Sequence, residues 1–263
     1  MRGAAPLVVV LLAARVASAD PPTDRSREVH GIVLGAAGAT YLTVEFVFKA
    51  RLAPLHCRIC EPTGFDIKAS RALIWDNTKA ANVISTAIGY AGAPMYALGM
   101  LVAATYDQHS GRRWIDDSIP VLESAIAVGL FHHVVKFTVG RQRPFVHYAG
   151  HAFDTDDNAS LFSGHTGLAF AVATSAGVIA HYRQYSTEPY IWSGGAILAV
   201  ATGYLRIAAD RHWATDVLIG AGVGIGFGLL IPATFHSGIL HPDPTTAPRR
   251  ETPYLINLLG GQF

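Results

Sequence analysis

Three short clusters of charged and small residues stand where apolar stretches end, and each contains side chains suited to phosphate chemistry. The first is the run 136–144, Lys-Phe-Thr-Val-Gly-Arg-Gln-Arg-Pro. Lys136 and Arg143 would lie on one face of a continuing helix, although Pro144 disfavours that continuation. A guanidinium binds phosphate oxygens in a bidentate way, and an ammonium adds a compact charge. The cluster indicates an oxyanion site, and the alternative is an ordinary basic loop beside a helix.

The second cluster opens an apolar run and contains the tripeptide Ser163, Gly164 and His165. Small residues at a helix start leave backbone N–H groups free for an anion, which the helix dipole also favours. His165 would then lie beside the anion and could protonate a leaving oxygen. The alternative is a helix cap with a solvent-facing imidazole.

The third cluster spans 206–216 and contains Arg206, His212 and Asp216. His212 and Asp216 are four residues apart, so on a helix they would share a face, and the carboxylate could orient the imidazole. A neutral imidazole nitrogen aimed at phosphorus can form a covalent phosphohistidine. The alternative is a helical His-Asp pair that only supports the structure.

In this order, the patterns Lys-x6-Arg-Pro, Ser-Gly-His and Arg-x5-His-x3-Asp resemble the type 2 phosphatidic acid phosphatase superfamily. That superfamily also includes bacterial acid phosphatases and vanadium haloperoxidases. The resemblance implies a phosphate-binding cradle made of Lys136, Arg143, Arg206, Ser163 and Gly164. It also implies that His165 is the general acid, His212 the nucleophile and Asp216 the partner of the nucleophile.

The chemistry implied by the resemblance is a two-step phosphoryl transfer through a phosphohistidine. It needs no metal and no cofactor, because the cations of the cradle supply the charge that magnesium provides in other phosphoryl-transfer enzymes. Two positions depart from the superfamily pattern, since Phe162 replaces a proline and Leu205 a serine. Neither replaced residue carries an essential charge or proton, so we expect activity to survive.

The acidic run 153–158, Phe-Asp-Thr-Asp-Asp-Asn, is the segment most suggestive of a metal. We interpret it as a solvated loop followed by a helix cap, and no metal site is expected there.

Composition and charge narrow the class of protein. The chain has 263 residues, of which 51% are hydrophobic and 15% charged, with a mean hydropathy of +0.30. These values exclude a disordered polar chain. With 20 basic against 19 acidic side chains there is no broad basic field, so no nucleic acid partner is expected. Few segments alternate with a period of two, and the fold class predicted is an all-α helical bundle.

Apolar stretches separated by short polar joints predict a multi-spanning membrane protein with five to six apolar helices. The stretches are 30–48, 80–106, 119–135, 166–180, 190–205 and 217–235. The stretches 80–106 and 217–235 carry no charge and are long enough to cross a bilayer. The stretch 30–48 is the weakest candidate, because Glu45 interrupts it.

The chain divides into a predicted signal peptide (1–19), a helical domain (20–235) and a polar, proline-rich tail (236–263). If the three clusters share one membrane face, successive helices between them must cross the membrane in opposite directions, and their order along the chain allows this. We expect the membrane to be a bacterial inner membrane and the site to face the periplasm. A cleaved signal with a single span at 30–48 would break that alternation. Either 30–48 lies in the interface or packs without spanning, or the first apolar run stays uncleaved and forms a hairpin.

The two cysteines, Cys57 and Cys60, form a lone CxxC pair. The usual spacing of further zinc ligands is absent. In an exported loop the pair is expected to be a small structural disulfide, and a redox pair is the alternative.

The sequence as a whole predicts a metal-independent phosphatase that hydrolyses a phosphate ester, a lipid phosphate or an isoprenyl diphosphate, at a membrane. Its expected partners are a phosphorylated lipid substrate and the membrane itself. One alternative is a soluble periplasmic acid phosphatase with the same catalytic residues. Another is a non-catalytic phospholipid-binding membrane protein, which would need neither His165 nor His212.

Overall fold

The computed structural model describes residues 24–106, 112–150, 154 and 156–236. The expected signal peptide, 1–19, lies outside the described residues, as does the expected tail apart from His236. Within the described ranges the chain is helical, and the extended pairing recorded there is one isolated bridge between Ile59 and Arg141. The predicted all-α fold class is therefore confirmed.

The helices of the described residues form a bundle with short elements at one end. They are α1 (Asp24–Thr43), α2 (Lys49–Leu52), α3 (Gly64–Leu73), α4 (Thr78–Ala87), α5 (Ala93–Tyr106), α6 (Arg113–Val139), α7 (Pro144–Ala149), α8 (Gly164–Tyr182), α9 (Glu188–Ala208) and α10 (Ala214–Phe235). The π-helical turns Val44–Phe48 and Ile88–Gly92 join α1 to α2 and α4 to α5, so each pair forms one continuous rod.

Five of these rods are long and apolar enough to cross a membrane. They are Arg25–Leu52, Thr78–Tyr106, Arg113–Val139, Glu188–Ala208 and Ala214–Phe235. Helix α8, which contains the expected stretch 166–180, is the central helix and is buried along nearly its whole length. The predicted five to six apolar helices are therefore present, with five at the lipid-facing positions and one inside.

Large apolar side chains on the outside of the bundle distinguish a membrane protein from a soluble one. Met95 is 72% exposed, Ile197 67% and Leu218 60%. Exposed apolar surface on this scale is costly in water but favourable in a hydrocarbon environment. The fold is that of a multi-spanning membrane protein, so the soluble alternative is disfavoured.

The first rod, Arg25–Leu52, lies lengthwise against α6. Arg27 pairs with Asp116 near the start of α6, at 2.6 Å. Glu45 pairs with Lys136 near its end, at 3.0 Å. The rod and α6 therefore run parallel, and Glu45, in the π-helical turn, does not interrupt the rod because cations of the bundle neutralise it. The stretch 30–48, the weakest of the predicted spans, therefore belongs to a rod that is long and apolar enough to cross a membrane.

Helix α10 approaches the central helix α8 through three glycines at every fourth position. A Cβ atom added to Gly224 would lie 2.3 Å from the Gly167 carbonyl oxygen, and one added to Gly220 would lie 2.7 Å from that of Ser163. At Gly228 it would meet Thr174 at 2.7 Å. Small residues at this spacing let two membrane helices touch along their backbones. The contact fixes the start of α10 against the start of α8.

The cysteine-containing loop packs against the end of α6. Cys57 and Cys60 form a disulfide, as expected. The Arg58 amide donates to the Gly140 carbonyl at 2.8 Å, and the Gln142 amide donates to the Ile59 carbonyl at 3.0 Å. The loop therefore supports the segment that carries the first cationic cluster.

Candidate active site

All three clusters predicted from the sequence meet at one end of the bundle. The first cluster lies at the end of α6, the second at the start of α8, and the third between α9 and α10. Helix α6 ends at Val139, and Gly140 follows with a φ of 66°, a left-handed conformation that glycine adopts easily. The expectation that Lys136 and Arg143 share one face of a continuing helix was therefore wrong. A turn brings Arg143 back into the site.

Arg143 is fixed by backbone and side-chain acceptors on two sides. Its Nε donates to the Asp156 carbonyl at 2.9 Å, and its Nη2 donates to Asp156 Oδ2 at 2.8 Å. Its Nη1 donates to the Arg211 carbonyl at 3.0 Å and lies 3.4 Å from His212 Nε2. The guanidinium is thus held beside one nitrogen of His212.

The expected helical pairing of His212 with Asp216 is not what orients the imidazole. Helix α10 begins at Ala214, so His212 precedes it. His212 Nδ1 lies 2.8 Å from the Ser160 carbonyl oxygen but 3.8 Å from Asp216 Oδ2, which is beyond hydrogen-bond distance. A carbonyl only accepts, so the proton of a neutral His212 lies on Nδ1. The lone pair of Nε2 then faces Arg143, whose Nη1 donates towards it at 3.4 Å.

His212 is buried, with 3% of its surface exposed. Burial lowers the pKa of His212 well below its usual range, and the nearby charges of Arg143 and Arg206 lower it further. The imidazole is therefore neutral at physiological pH. A neutral imidazole is the form that can act as a nucleophile.

Asp216 accepts hydrogen bonds from residues of the neighbouring segments and does not bind the imidazole of His212. It is fully buried and accepts from Arg141 Nη1 at 2.5 Å, from Ser160 Oγ at 2.5 Å and from the Trp213 amide at 3.0 Å. The contact with Ser160 fixes the residue whose carbonyl orients His212. Asp216 thus acts on His212 through Ser160.

Arg141 and Asp66 form a buried network beneath the site that was not predicted from the sequence. Arg141 Nη2 donates to Asp66 Oδ2 at 2.7 Å, while its Nη1 reaches Asp216. Thr215 donates to Asp66 Oδ1 through its amide and its hydroxyl, both at 2.9 Å. Arg141 lies inside the first cluster, whereas the local signal at Asp66 is that of a helix capping box with Thr63 and not of a buried ion pair.

The environment of Asp66 favours its charged form. Burial alone would raise the pKa of Asp66, but hydrogen bonds from Thr215, Thr63 and Arg141 outweigh it and lower the pKa. The carboxylate therefore stays ionised as a counter-charge for Arg141.

The start of α8 has the cap predicted from the sequence. Ser163 is its N-cap, and its hydroxyl accepts from the Thr166 amide. Gly164 lies against His132, since a Cβ there would be 2.9 Å from the imidazole ring. The ring of His165 packs on Tyr90 with centroids 4.1 Å apart, and His165 Nε2 lies 3.3 Å from Thr86 Oγ1.

Arg206 enters the site from the end of α9. Its Nη1 donates to Asn82 Oδ1 at 2.8 Å and to Ser85 Oγ at 3.2 Å. Its Nε is buried and has no hydrogen-bond partner among the residues that the structure describes. A buried guanidinium nitrogen without an acceptor is costly, and a phosphate oxygen would satisfy it.

Lys136, the other expected phosphate ligand, is paired with Glu45. Glu45 Oε2 lies 3.0 Å from Lys136 Nζ and 2.9 Å from His133 Nε2, and Oε1 lies 2.7 Å from Lys49 Nζ. The sequence analysis treated Glu45 as an interruption of an apolar stretch. An acid in such a stretch is itself a signal of a buried partner.

The acidic run at 153–158 is only in part the solvated loop that we expected, because Asp154 is exposed and Asp156 is 32% exposed whereas the end of the run is buried. Asp157 is 3% exposed and Asn158 is 4% exposed. The Asp157 carbonyl accepts from the Arg143 amide at 2.9 Å, and Asn158 Nδ2 donates to the Pro54 carbonyl at 3.2 Å. The end of the run therefore holds Arg143 in place, because the backbone of the run accepts hydrogen bonds from Arg143.

Both departures from the superfamily pattern are accommodated in the interior. Phe162 is 1% exposed and packs against Phe131 and His132, with ring centroids 6.0 and 5.2 Å away. Leu205 is 6% exposed and lies in an apolar cluster with Ala208. Neither side chain displaces a charged group of the site.

A cavity of about 550 Å³ opens beside Arg143. Its polar wall includes Lys49, Arg143, Asp156 and Arg211, and its other wall includes Phe46 and Val47. Phe46 is 80% exposed and Val47 62% exposed, on the outside of the first rod. The cavity therefore joins a charged surface to the apolar exterior.

Comparisons with known proteins agree with the motifs. The family model of the PAP2 superfamily matches residues 118–238. A lipid A 1-phosphatase of Porphyromonas gingivalis is 39% identical over 110 residues, which are 42% of this chain and 21% of that protein. This chain thus spans about a fifth of the length of that relative.

Among solved structures, a transmembrane PAP2-type phosphatidylglycerolphosphate phosphatase from Bacillus subtilis aligns with a TM-score of 0.49 at 20% identity. The alignment covers 78% of this chain and 96% of that structure. All three motifs lie within residues 118–238, the part of the chain that matches the PAP2 superfamily model and that makes up less than half of its length.

Proposed function

We propose that this chain is a phosphatase that hydrolyses the phosphate ester of a membrane lipid through a phosphohistidine at His212, without a metal in the reaction. The observation that carries the proposal is the environment of His212. Its Nδ1 is hydrogen-bonded to the Ser160 carbonyl, and its Nε2 faces Arg143. A neutral nucleophile and a phosphate-binding cation therefore lie side by side.

In the first step, the phosphoryl group binds between Arg143 and Arg206, and its oxygens accept from the two guanidinium groups. The free amides at the start of α8 add further donors. Nε2 of His212 attacks phosphorus in line with the leaving oxygen, and the bond from phosphorus to that oxygen breaks. The charge of the bound dianionic phosphate favours the protonated form of His165, which then gives its proton to the departing alcohol.

In the second step, water attacks the phosphohistidine. His165, now without its proton, accepts one from the water, and the bond from phosphorus to His212 Nε2 breaks. Inorganic phosphate leaves, and His212 returns to its neutral form. The Ser160 carbonyl stabilises the positive charge that develops on the imidazole during both steps.

Before substrate binds, two of the cations are already paired with carboxylates. Glu45 pairs with Lys136 and Asp156 with Arg143. An incoming dianionic phosphate would compete with them for the same nitrogens. Lys136 would join the cradle when Glu45 is displaced or shared.

A lipid fits the cavity at the site better than a small polar ester does. A phosphorylated head group would contact the charged wall, and an acyl chain would leave along Phe46 and Val47. The relative named as a lipid A 1-phosphatase supports a lipid phosphate as the substrate class. Phosphatidate, phosphatidylglycerol phosphate and isoprenyl diphosphates are further candidates of the same class.

We further propose that the site faces the periplasm from a bacterial inner membrane. The first rod runs parallel to α6, so Arg25 lies at the end of the bundle opposite the site. With an outward-facing site, residue 25 is on the cytoplasmic side. A signal cleaved after residue 19 does not fit this arrangement, and an uncleaved first apolar run does.

The test is phosphate release by detergent-purified protein from lipid A, phosphatidate, an isoprenyl diphosphate and an aryl phosphate, with EDTA present. We expect release from at least one lipid. His212→Ala should lower the rate by more than about a thousandfold, as removal of a covalent nucleophile does. His181→Ala is the matched control, because His181 is exposed and lies at the far end of α8.

Rapid quenching after mixing should also trap phosphate on the wild-type protein in an acid-labile, alkali-stable form, and His212→Ala should trap none. Equal release by His212→Ala and wild type would remove His212 as the nucleophile. Saturable binding of the lipids with no release from any of them would favour the non-catalytic alternative. Preference for the aryl phosphate would contradict a lipid substrate.

A further inference from the structure

A second cluster of titratable side chains lies at the end of the bundle opposite the active site. It consists of His30 on α1, Glu123 on α6 and His236 at the end of α10. Thirteen residues of α6 separate Glu123 from Lys136, which at about 1.5 Å per residue is about 20 Å. The cluster is therefore independent of the phosphate cradle.

The three side chains converge closely. His30 Nδ1 lies 2.6 Å from Glu123 Oε1, and His236 Nε2 lies 2.7 Å from Glu123 Oε2. One atom from each of the three groups lies within 4.8 Å of the other two. The imidazole rings of His30 and His236 have centroids 4.6 Å apart.

The cluster is also buried. His30 is 5% exposed and Glu123 8% exposed, and 9% of the His236 side chain is exposed. Within the described part of the chain, the ion-pair partners of Glu123 are these two histidines. A carboxylate inside a membrane bundle is costly unless a cation compensates it. A metal cation bound by the two imidazoles and the carboxylate would supply that compensating charge.

We propose that His30, Glu123 and His236 form a binding site for a divalent transition-metal ion, with zinc as the best match. Two imidazole nitrogens and one carboxylate oxygen are a common zinc donor set, with bonds of about 2.0–2.2 Å. Tetrahedral geometry at those bond lengths places ligand atoms about 3.3–3.6 Å apart. Small rotations of the two rings would open the present hydrogen-bonded contacts to that separation.

The position of the site indicates a structural role. Two of its ligands come from the first and the third of the five long rods, and the third ligand, His236, directly follows the last rod. A bound ion would link α1 and α10 to α6, at the end where the described chain begins and ends. His236 lies just beyond the last helix, so a water molecule could complete the coordination.

The test is metal content and thermal stability of the full chain, purified with a tag that lacks histidine, equilibrated with zinc and freed of excess. We expect one zinc per chain in the wild type and a melting temperature several degrees above that of the EDTA-treated protein. Glu123→Gln and His236→Ala should lose both the zinc and the temperature shift. Glu123→Gln keeps the shape of the side chain, and His236→Ala changes a residue at a helix end, so both should fold.

The matched control is His181→Ala, which removes a histidine paired with Glu188 where no second histidine joins the pair in the described residues. It should keep the zinc. Cobalt in place of zinc should give the visible absorption of a four-coordinate ion in the wild type and not in Glu123→Gln. No zinc in the wild type, or equal zinc in Glu123→Gln, would overturn the proposal. Phosphate release at low temperature should persist in all these variants.

Discussion

Arg141 offers the sharpest test of how the site is supported, because it is the shared partner of two fully buried carboxylates. Arg141 contacts Asp66 at 2.7 Å and Asp216 at 2.5 Å, and neither carboxylate is exposed to solvent. Arg141→Met keeps the length of the side chain but removes its charge. Asp66 and Asp216 would then remain in the interior without a cation.

Removing one partner of a buried ion pair costs about 3–5 kcal/mol, because the other charge stays uncompensated. For a protein of this size, 1 kcal/mol corresponds to about 2–4 °C in melting temperature. We therefore expect Arg141→Met to lower the melting temperature in detergent by about 6–20 °C.

Arg143→Met is the matched control. Its ion-pair partner Asp156 is one-third exposed, at 32%, and such a pair contributes only about 0–1 kcal/mol. Arg143→Met should therefore melt within about 4 °C of the wild type and lose phosphate release, since Arg143 lies beside the nucleophile. Arg141→Met therefore reports on the stability of the site, and Arg143→Met reports on catalysis.

A double variant tests the cause of the destabilisation. Arg141→Met combined with Asp66→Asn removes one of the uncompensated charges, so it should melt at a higher temperature than Arg141→Met alone. The reasoning is refuted if Arg141→Met melts within 2 °C of the wild type, a margin of about 1 kcal/mol or less. Equal destabilisation by Arg143→Met would refute it as well.

Two further variants follow from the charges around the site. Asp210 has a φ of 57° and an unpartnered buried oxygen, and burial raises its pKa to about 6 against the opposing charge of Arg211. Because the ordinary pKa is lower, ionised Asp210 destabilises the fold increasingly as pH rises from about 4 to about 6, and fully above that. Asp210→Asn, which tolerates a positive φ, should raise the melting temperature at pH 7.5 and lose that gain below about pH 4; an unchanged melting temperature at pH 7.5 would contradict this. Glu45→Gln should free Lys136 for phosphate and tighten inhibition by inorganic phosphate by up to about 5-fold, the scale of a partly exposed ion pair. Product-inhibition constants measure this effect, and weaker inhibition would show that Glu45 organises the cradle instead of competing for it.

The sequence alone was sufficient for the parts of the molecule that depend on local pattern. Charge-free apolar stretches predict membrane helices, because the bilayer demands a fixed length of apolar chain. The spacing of Lys136, Arg143, His165 and His212 resembles one superfamily closely enough to name it. The pair Cys57 and Cys60 is near enough in the chain to form a local disulfide. Each of these features is contained within a few turns of chain.

Only the tertiary structure decided how the charged groups pair. Thr215 donates to Asp66 across 149 residues, and His133 meets Glu45 across 88 residues. Such contacts leave no periodicity in the sequence, since they depend on which helix faces meet. The same reason explains why His212 is oriented by the Ser160 carbonyl and not by Asp216, its neighbour in the motif. The residue types and their order come from the sequence, whereas the partners of each charge follow from the packing of the bundle.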